Sequence, residues 1–132
     1  MKKVIIYLVL LILPFMMVKT SLFLKETKGP SWVGMNCDPD YTYLLNALNL
    51  SMMKKVGHVD HPGTTVQITG AIVLRAVHLL RSSPKDDLQT DVIKNPELYL
   101  AAINNVFLGL NFLILTILGI WTFRLKIGRA HV

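Results

Sequence analysis

The chain has 132 residues, of which 52% are hydrophobic, and a formal net charge of +6. This apolar content is high for a water-soluble domain and is concentrated in two segments, which favours an integral membrane protein. The positive charge does not imply a nucleic-acid partner, because all eight acidic residues share the segment between the apolar runs with many of the lysines and arginines. The single cysteine, Cys37, excludes an internal disulfide.

The first apolar segment predicts a transmembrane helix over residues 1–24. Residues 4–18 carry no charge, and apolar residues resume after Lys19, whose ammonium can reach the membrane interface. A cleaved signal peptide also fits a basic N-terminus followed by an apolar run, but no small-residue cleavage site follows. We therefore predict an uncleaved anchor.

The second apolar segment predicts a transmembrane helix over residues 98–123, which are uncharged throughout. Asn95, Pro96 and Glu97 directly before it are typical of a helix start, because they supply a cap, a proline at the first position and an acid in the first turn.

Basic residues beside the two segments predict the orientation. Lys2 and Lys3 precede the first, whereas Arg124 and Lys126 follow the second. The positive-inside rule then predicts that both ends are cytoplasmic and that the loop 25–97 is extracytoplasmic.

The last six residues of the chain look unlike natural coding sequence. Residues 127–132 can be encoded by a string that resembles a sequencing adapter, so we predict that they are a sequencing artefact within a cytoplasmic tail, 124–132. The chain would then be the N-terminal fragment of a longer protein. An ordinary short tail is the alternative.

The loop predicts two or more short helices, so the fold class is all-α. One helix is expected over about 39–54, with Asp38 as its N-cap, Asp40 in its first turn and Gly57 ending it. A second is expected over about 64–81, lying at the outer membrane surface or against other helices, because its uncharged run is too short to span a bilayer. Residues 85–94 read as a charged connection.

Two polar clusters could carry chemistry, one at Asp38 and Asp40 and the other at Asp60 and His61. A carboxylate at a helix N-terminus is favoured in its ionised form, so it can accept a proton from a hydroxyl or bind a divalent cation such as Mg or Mn. Ordinary helix caps and turn residues explain the same pattern, and two ligand-type residues without fixed spacing are a weak metal signal. The identity of any metal therefore stays unknown.

The segment Asp40-Tyr41-Thr42-Tyr43, followed by Asp60-His61-Pro62, resembles the first outward loop of GT-C superfamily glycosyltransferases of the bacterial, mannosyltransferase-like and ArnT-like branch. The resemblance covers residues 1–126, including the order of anchor, loop and helix. These are multi-pass enzymes of the bacterial inner (plasma) membrane that take a sugar from a polyprenyl-phosphate carrier.

The resemblance implies a role for each matched residue. Asp40 would be the catalytic base that activates the acceptor hydroxyl, Tyr43 would support the same site, and Asp60 with His61 would shape a substrate pocket. Tyr41 stands where the family usually has a second acid, and Asp38 could replace that acid. Gly63 stands where the family has a second proline.

The sequence therefore predicts the N-terminal fragment of a membrane glycosyltransferase, inactive by itself. Its partners would be membrane lipid, a polyprenyl-phosphate-sugar donor and an acceptor glycan, lipid or protein. Two alternatives remain: a small two-span membrane protein whose loop binds a partner, and the first module of a transporter. Sugar, acceptor and metal dependence are not encoded in any recognisable pattern.

Overall fold

A computed structural model of the chain describes residues 2–29, 40–57, 63–81 and 86–129, and every regular element in these ranges is an α-helix. The helices are α1 (Lys2–Lys28), α2 (Asp40–Ser51), α3 (Thr64–Leu80), α4 (Leu88–Lys94) and α5 (Pro96–Arg129). In the described part of the chain, two helices are long and apolar enough to cross a membrane, over Ile5–Thr27 and Pro96–Leu125. The prediction of an all-α fold with two such helices is confirmed at this level.

The chain divides into two compact units, and α5 contributes to both. Unit 1 consists of Met1–Gly29 and Phe107–Val132, and unit 2 consists of Pro30–Val106.

Within unit 1, α1 and the later part of α5 run antiparallel. The rings of Tyr7 and Phe123 lie 6.3 Å apart, and those of Phe15 and Phe112 lie 5.7 Å apart, both edge to face. Residues early in α1 therefore contact residues late in α5, as antiparallel neighbours must. Edge-to-face geometry suits the ring quadrupoles and adds to the packing.

Unit 2 has a core to which all of its helices contribute. α2 packs on α3 at a close approach, because Gly70 has no side chain; a Cβ added there would lie 2.8 Å from the Cβ of Ala47. The buried apolar residues are Leu44, Ala47, Leu48, Ala71, Val73, Leu74, Val92, Tyr99, Leu100 and Ile103.

The end of α2 differs from the prediction. The helix stops at Ser51 rather than near Lys54, and Gly57 does not end it. The amide of Met53 donates to the Leu50 carbonyl at 3.0 Å, and that of Lys54 donates to the Asn49 carbonyl at 2.8 Å. This is the Schellman pattern of a helix C-terminus, with Met53 in the left-handed position at φ 59°. Glycine usually occupies that position, and a residue with a side chain costs about 1–2 kcal/mol there.

The interpretation of residues 85–94 as a charged connection is wrong, because they contain α4. The Asp87 side chain caps this helix by accepting a hydrogen bond from the Thr90 amide at 3.4 Å. The Thr90 side chain is the largest cause of the lowered pKa of Asp87, and the Thr90 amide acts in the same direction, because both donate to the carboxylate.

Candidate functional site

Asp40 and Tyr43 are the predicted site residues that the structure describes. Asp40 opens α2 and lies in its first turn, where the helix macrodipole favours a negative charge. Both side chains are half-buried, and both interact with neighbouring groups. Asp38, Asp60 and His61 lie outside the described residues, so their predicted roles stay predictions.

Tyr41 links the start of α2 to the start of α5. Its hydroxyl donates a hydrogen bond to Glu97 Oε1 at 2.6 Å. That contact raises the pKa of Tyr41 to about 12, with burial and the negative charges of Glu97 and Asp40 adding to the effect. Glu97 is therefore a carboxylate in this region in addition to Asp40, and it lies next to the hydroxyl of Tyr41.

Gly63 adopts a backbone that a proline cannot. Its φ is 77°, whereas the proline ring holds φ near −65°. This glycine directly precedes α3, and its side chain-free backbone provides no capping group. The proline that the resemblance would place here could therefore not keep this backbone at the start of α3.

A polar cluster in unit 2 escaped the sequence analysis. Asp91, on α4, is 6% exposed and stands at its centre. Its Oδ2 accepts from the Tyr99 hydroxyl at 2.5 Å and lies 3.1 Å from Nδ1 of His78. Its Oδ1 accepts from Nδ2 of Asn95 at 2.9 Å. We call Asp91, His78, Tyr99, Asn95 and Arg81 the Asp91 cluster.

Arg81 completes the cluster at longer range. Its Nη1 lies 3.5 Å from Asp91 Oδ1, which counts as an ion pair by distance. The same nitrogen is buried and makes no hydrogen bond, so its attraction to Asp91 is electrostatic. The distance exceeds the usual range for an N–H···O bond.

Hydrogen bonds keep Asp91 ionised despite its burial. The bond from Tyr99 is the largest cause of its lowered pKa, and His78, Arg81 and Asn95 act in the same direction. Burial alone would raise the pKa of a carboxyl, but these donors outweigh it. The cluster thus holds a buried negative charge where α3, α4 and α5 meet.

The sequence gives only a weak indication of the Asp91 cluster, namely two acids one helical turn apart. Asp91 falls four residues after Asp87, inside a helix of seven residues, and short charged helices resemble connections. His78 lies two residues before the end of α3, and nothing in its sequence neighbourhood predicts a carboxylate partner on another helix.

Among the residues that the structure describes, no group of three or more histidine, cysteine, aspartate or glutamate side chains could hold a metal ion. Asp38, Asp60 and His61 lie outside the described ranges, so the hypothesis of a divalent cation with unknown ligands stays a prediction.

Comparison with protein-family models, with curated proteins and with solved structures finds no match to this chain.

Proposed function

We propose that this chain forms the first two membrane helices and the first outward loop of a glycosyltransferase. The enzyme would transfer a sugar from a polyprenyl-phosphate carrier to an acceptor at the outer face of a bacterial inner membrane. The observation that carries the proposal is the position of Asp40, a half-buried carboxylate in the first turn of α2, a helix that lies between two candidate membrane spans in sequence.

Two further observations support it. The antiparallel contacts in unit 1 fit a chain that crosses the membrane twice, with both ends on one side and residues 25–97 on the other. Asn104, Asn105 and Asn111 are exposed on α5, and amide side chains in a membrane span usually face other helices. Further spans would cover them.

Asp40 would act as a general base. Its carboxylate would accept the proton of the acceptor hydroxyl as that oxygen forms a bond to the sugar and the phosphate of the carrier leaves. Tyr43, on the same helix, would support the site, and Asp38, Asp60 and His61 are the proposed substrate-binding groups.

The test is a transfer assay with the Asp40→Asn variant. The gene is cloned from the source DNA, including whatever coding sequence follows the codon for Lys126. Membranes that contain the expressed protein are then supplied with a labelled polyprenyl-phosphate sugar. Loss of a general base should lower the transfer rate by about 10²–10⁴-fold. The binding of the donor should change little, because Asn keeps the shape of the side chain.

Asp86→Asn is the matched control. Asp86 is an acid of the same unit that pairs with Lys94 at 2.8 Å, far along the sequence from α2. This variant should transfer sugar at the rate of the unaltered protein. Equal rates for Asp40→Asn and Asp86→Asn would contradict the assignment of Asp40, and absence of transfer in the unaltered membranes would contradict the glycosyltransferase proposal.

A further inference from the structure

One side of α3 is apolar but is not part of the core of unit 2. Ile68, Ile72, Arg75 and Leu79 are spaced four, three and four residues apart, so they form one stripe along the helix. Ile68 is 46% exposed, Ile72 64% and Leu79 80%, and Met53 beside the end of α2 is 89% exposed. The opposite side of α3 is buried against the rest of the unit. We call these five residues the α3 outer face.

A shallow groove crosses this face. It has a volume of about 340 Å³, and its lining includes Leu50, Met53, Ile68 and Ile72 with Arg75. Almost all of the lining is apolar. A groove of this kind can hold a hydrocarbon chain, whereas a polar ligand would find few hydrogen-bond partners in it.

Met53 is held in place by the turn that ends α2. The Schellman hydrogen bonds put it in the left-handed region, where glycine would be less strained. The Met53 side chain is thus exposed from unit 2, although its backbone has a conformation that is unfavourable for a residue with a side chain. A role outside unit 2 explains why a large apolar residue stands where glycine would fit better.

Positive charge lies within the apolar surface and next to Met53 in sequence. Arg75 lies within the stripe, and Lys54 and Lys55 directly follow Met53. The described residues 41–57 and 63–81 contain no carboxylate side chain. A surface with apolar side chains and a one-sided positive rim complements the phosphate groups and upper acyl chains of a bilayer.

Arg75 can contact a phosphate without losing its structural role. Its Nε donates to the Ser51 carbonyl at 3.0 Å, and Nη2 donates to the same oxygen. These bonds cap α2 at its negative end and use two of the five N–H groups of the guanidinium. The remaining donors are available to an anion.

We propose that the α3 outer face lies on the surface of an anionic phospholipid bilayer. Met53, Ile68, Ile72 and Leu79 enter the acyl region, and Arg75 with the neighbouring lysines contacts lipid phosphates. The same chain carries two helices long and apolar enough to cross a membrane. The inference goes beyond the proposed catalysis and does not require Asp40 to be catalytic.

Spin labels attached at single cysteines test the proposal. The full chain carries Cys37→Ser, which removes its only cysteine, and one of Met53→Cys, Ile72→Cys or Leu79→Cys. It is reconstituted in vesicles of phosphatidylcholine with phosphatidylglycerol. Collision rates are measured with oxygen, which concentrates in the bilayer, and with a water-soluble nickel complex. Circular dichroism confirms that each variant keeps its helical content.

Ile93→Cys is the matched control. Ile93 is 58% exposed, so it resembles Ile72 in exposure, but it lies on α4 away from the α3 stripe in sequence. We expect the ratio of oxygen to nickel collisions to be several-fold higher at positions 53, 72 and 79 than at position 93. Equal ratios at all four positions would overturn the proposal. Low rates with both reagents at 53, 72 and 79 would also overturn it, because protein rather than lipid would cover the face.

The charge requirement is tested separately with Lys54→Gln and Lys55→Gln together, which leave the Arg75 cap intact. In phosphatidylglycerol vesicles, the ratio at position 72 should fall to the value measured in phosphatidylcholine alone. A ratio that is unchanged by both the substitutions and the lipid would contradict the assignment of lysines and phosphates.

Discussion

Units 1 and 2 are both helical, but they bury their apolar side chains to different extents. The most apolar windows of the two candidate membrane helices are 6% and 0% buried, for α1 and α5 respectively. Unit 2 instead encloses a core in which Leu44 is 1% exposed and Leu74 is 0% exposed. Within the described residues, unit 2 therefore encloses an apolar core of its own, whereas the most apolar parts of α1 and α5 are left almost entirely exposed.

The two units also differ in how they treat charge. Unit 2 buries Asp91 on α4 and satisfies it with contacts from α3, from α5 and from the link between α4 and α5. In α1, by contrast, most of the exposed side chains are hydrophobic, and the charged Lys19 is exposed rather than buried. Substitutions at the Asp91 cluster should consequently affect unit 2 alone.

The largest effect is expected for Asp91→Ala. Removing the carboxylate leaves Tyr99, His78 and Arg81 without their shared partner, and loss of one member of a buried charged network costs about 3–5 kcal/mol. Hydrogen exchange of the full chain in detergent measures the opening free energy of α3 amides, which should fall by this amount. Amides of α1 should keep their protection.

Asp86→Ala is the control for that measurement. Asp86 pairs with Lys94, but both side chains are more than a third exposed. Exposed ion pairs contribute about 0–1 kcal/mol, so α3 protection should change little. Similar losses for Asp86→Ala and Asp91→Ala would show that the Asp91 cluster does not stabilise unit 2.

Acid should weaken unit 2 through the same carboxyl group. The pKa of Asp91 is lower in the folded protein, so its contribution to stability is fully present above the unfolded value of 3.8. It is lost as the pH falls through the folded pKa. The groups that face Asp91 are His78, Arg81, Asn95 and Tyr99.

Thermal unfolding of unit 2 below pH 5 checks this expectation, with Asp91→Asn as the comparison. The asparagine variant cannot lose a carboxylate, so its melting temperature should depend less on pH across the acid range. Parallel curves for the two proteins would assign the acid sensitivity to other groups.

A smaller effect is expected for Gly70→Ala. The new Cβ would lie 2.8 Å from the Cβ of Ala47, and neither methyl group can rotate away. The helices must separate, at a cost of about 1–3 kcal/mol. Gly109→Ala is the control, because a Cβ there meets no atom within 4 Å. Exchange of α2 and α3 amides should accelerate in the first variant and not in the second.

Hydropathy and helix-start signals were sufficient to predict the two long helices and the all-α fold. They were not sufficient for the turn at Met53, because a methionine carries no signal for the left-handed conformation. They also failed at Asp91, since its partners come from α3, α5 and the link before α5. Of the candidate site, Asp40 could be identified by its place at a helix start, whereas Glu97 beside Tyr41 depends on tertiary contacts between residues far apart in sequence.

The smallest effect is expected for Tyr41→Phe. The variant loses one hydrogen bond, from Tyr41 to Glu97, and keeps the ring, so the stability of unit 2 should fall by about 0.5–1.5 kcal/mol near neutral pH. Because the pKa of Tyr41 is raised from 10.0 to about 12, this contribution is complete below pH 10 and disappears as the pH rises to about 12. Hydrogen exchange or thermal unfolding at pH 7 measures the neutral difference between the two proteins, and repeated melts from pH 9 to pH 12 should show that difference closing. A difference that persists at the alkaline end would mean that the Tyr41 ring, rather than its proton shared with Glu97, stabilises the start of α2.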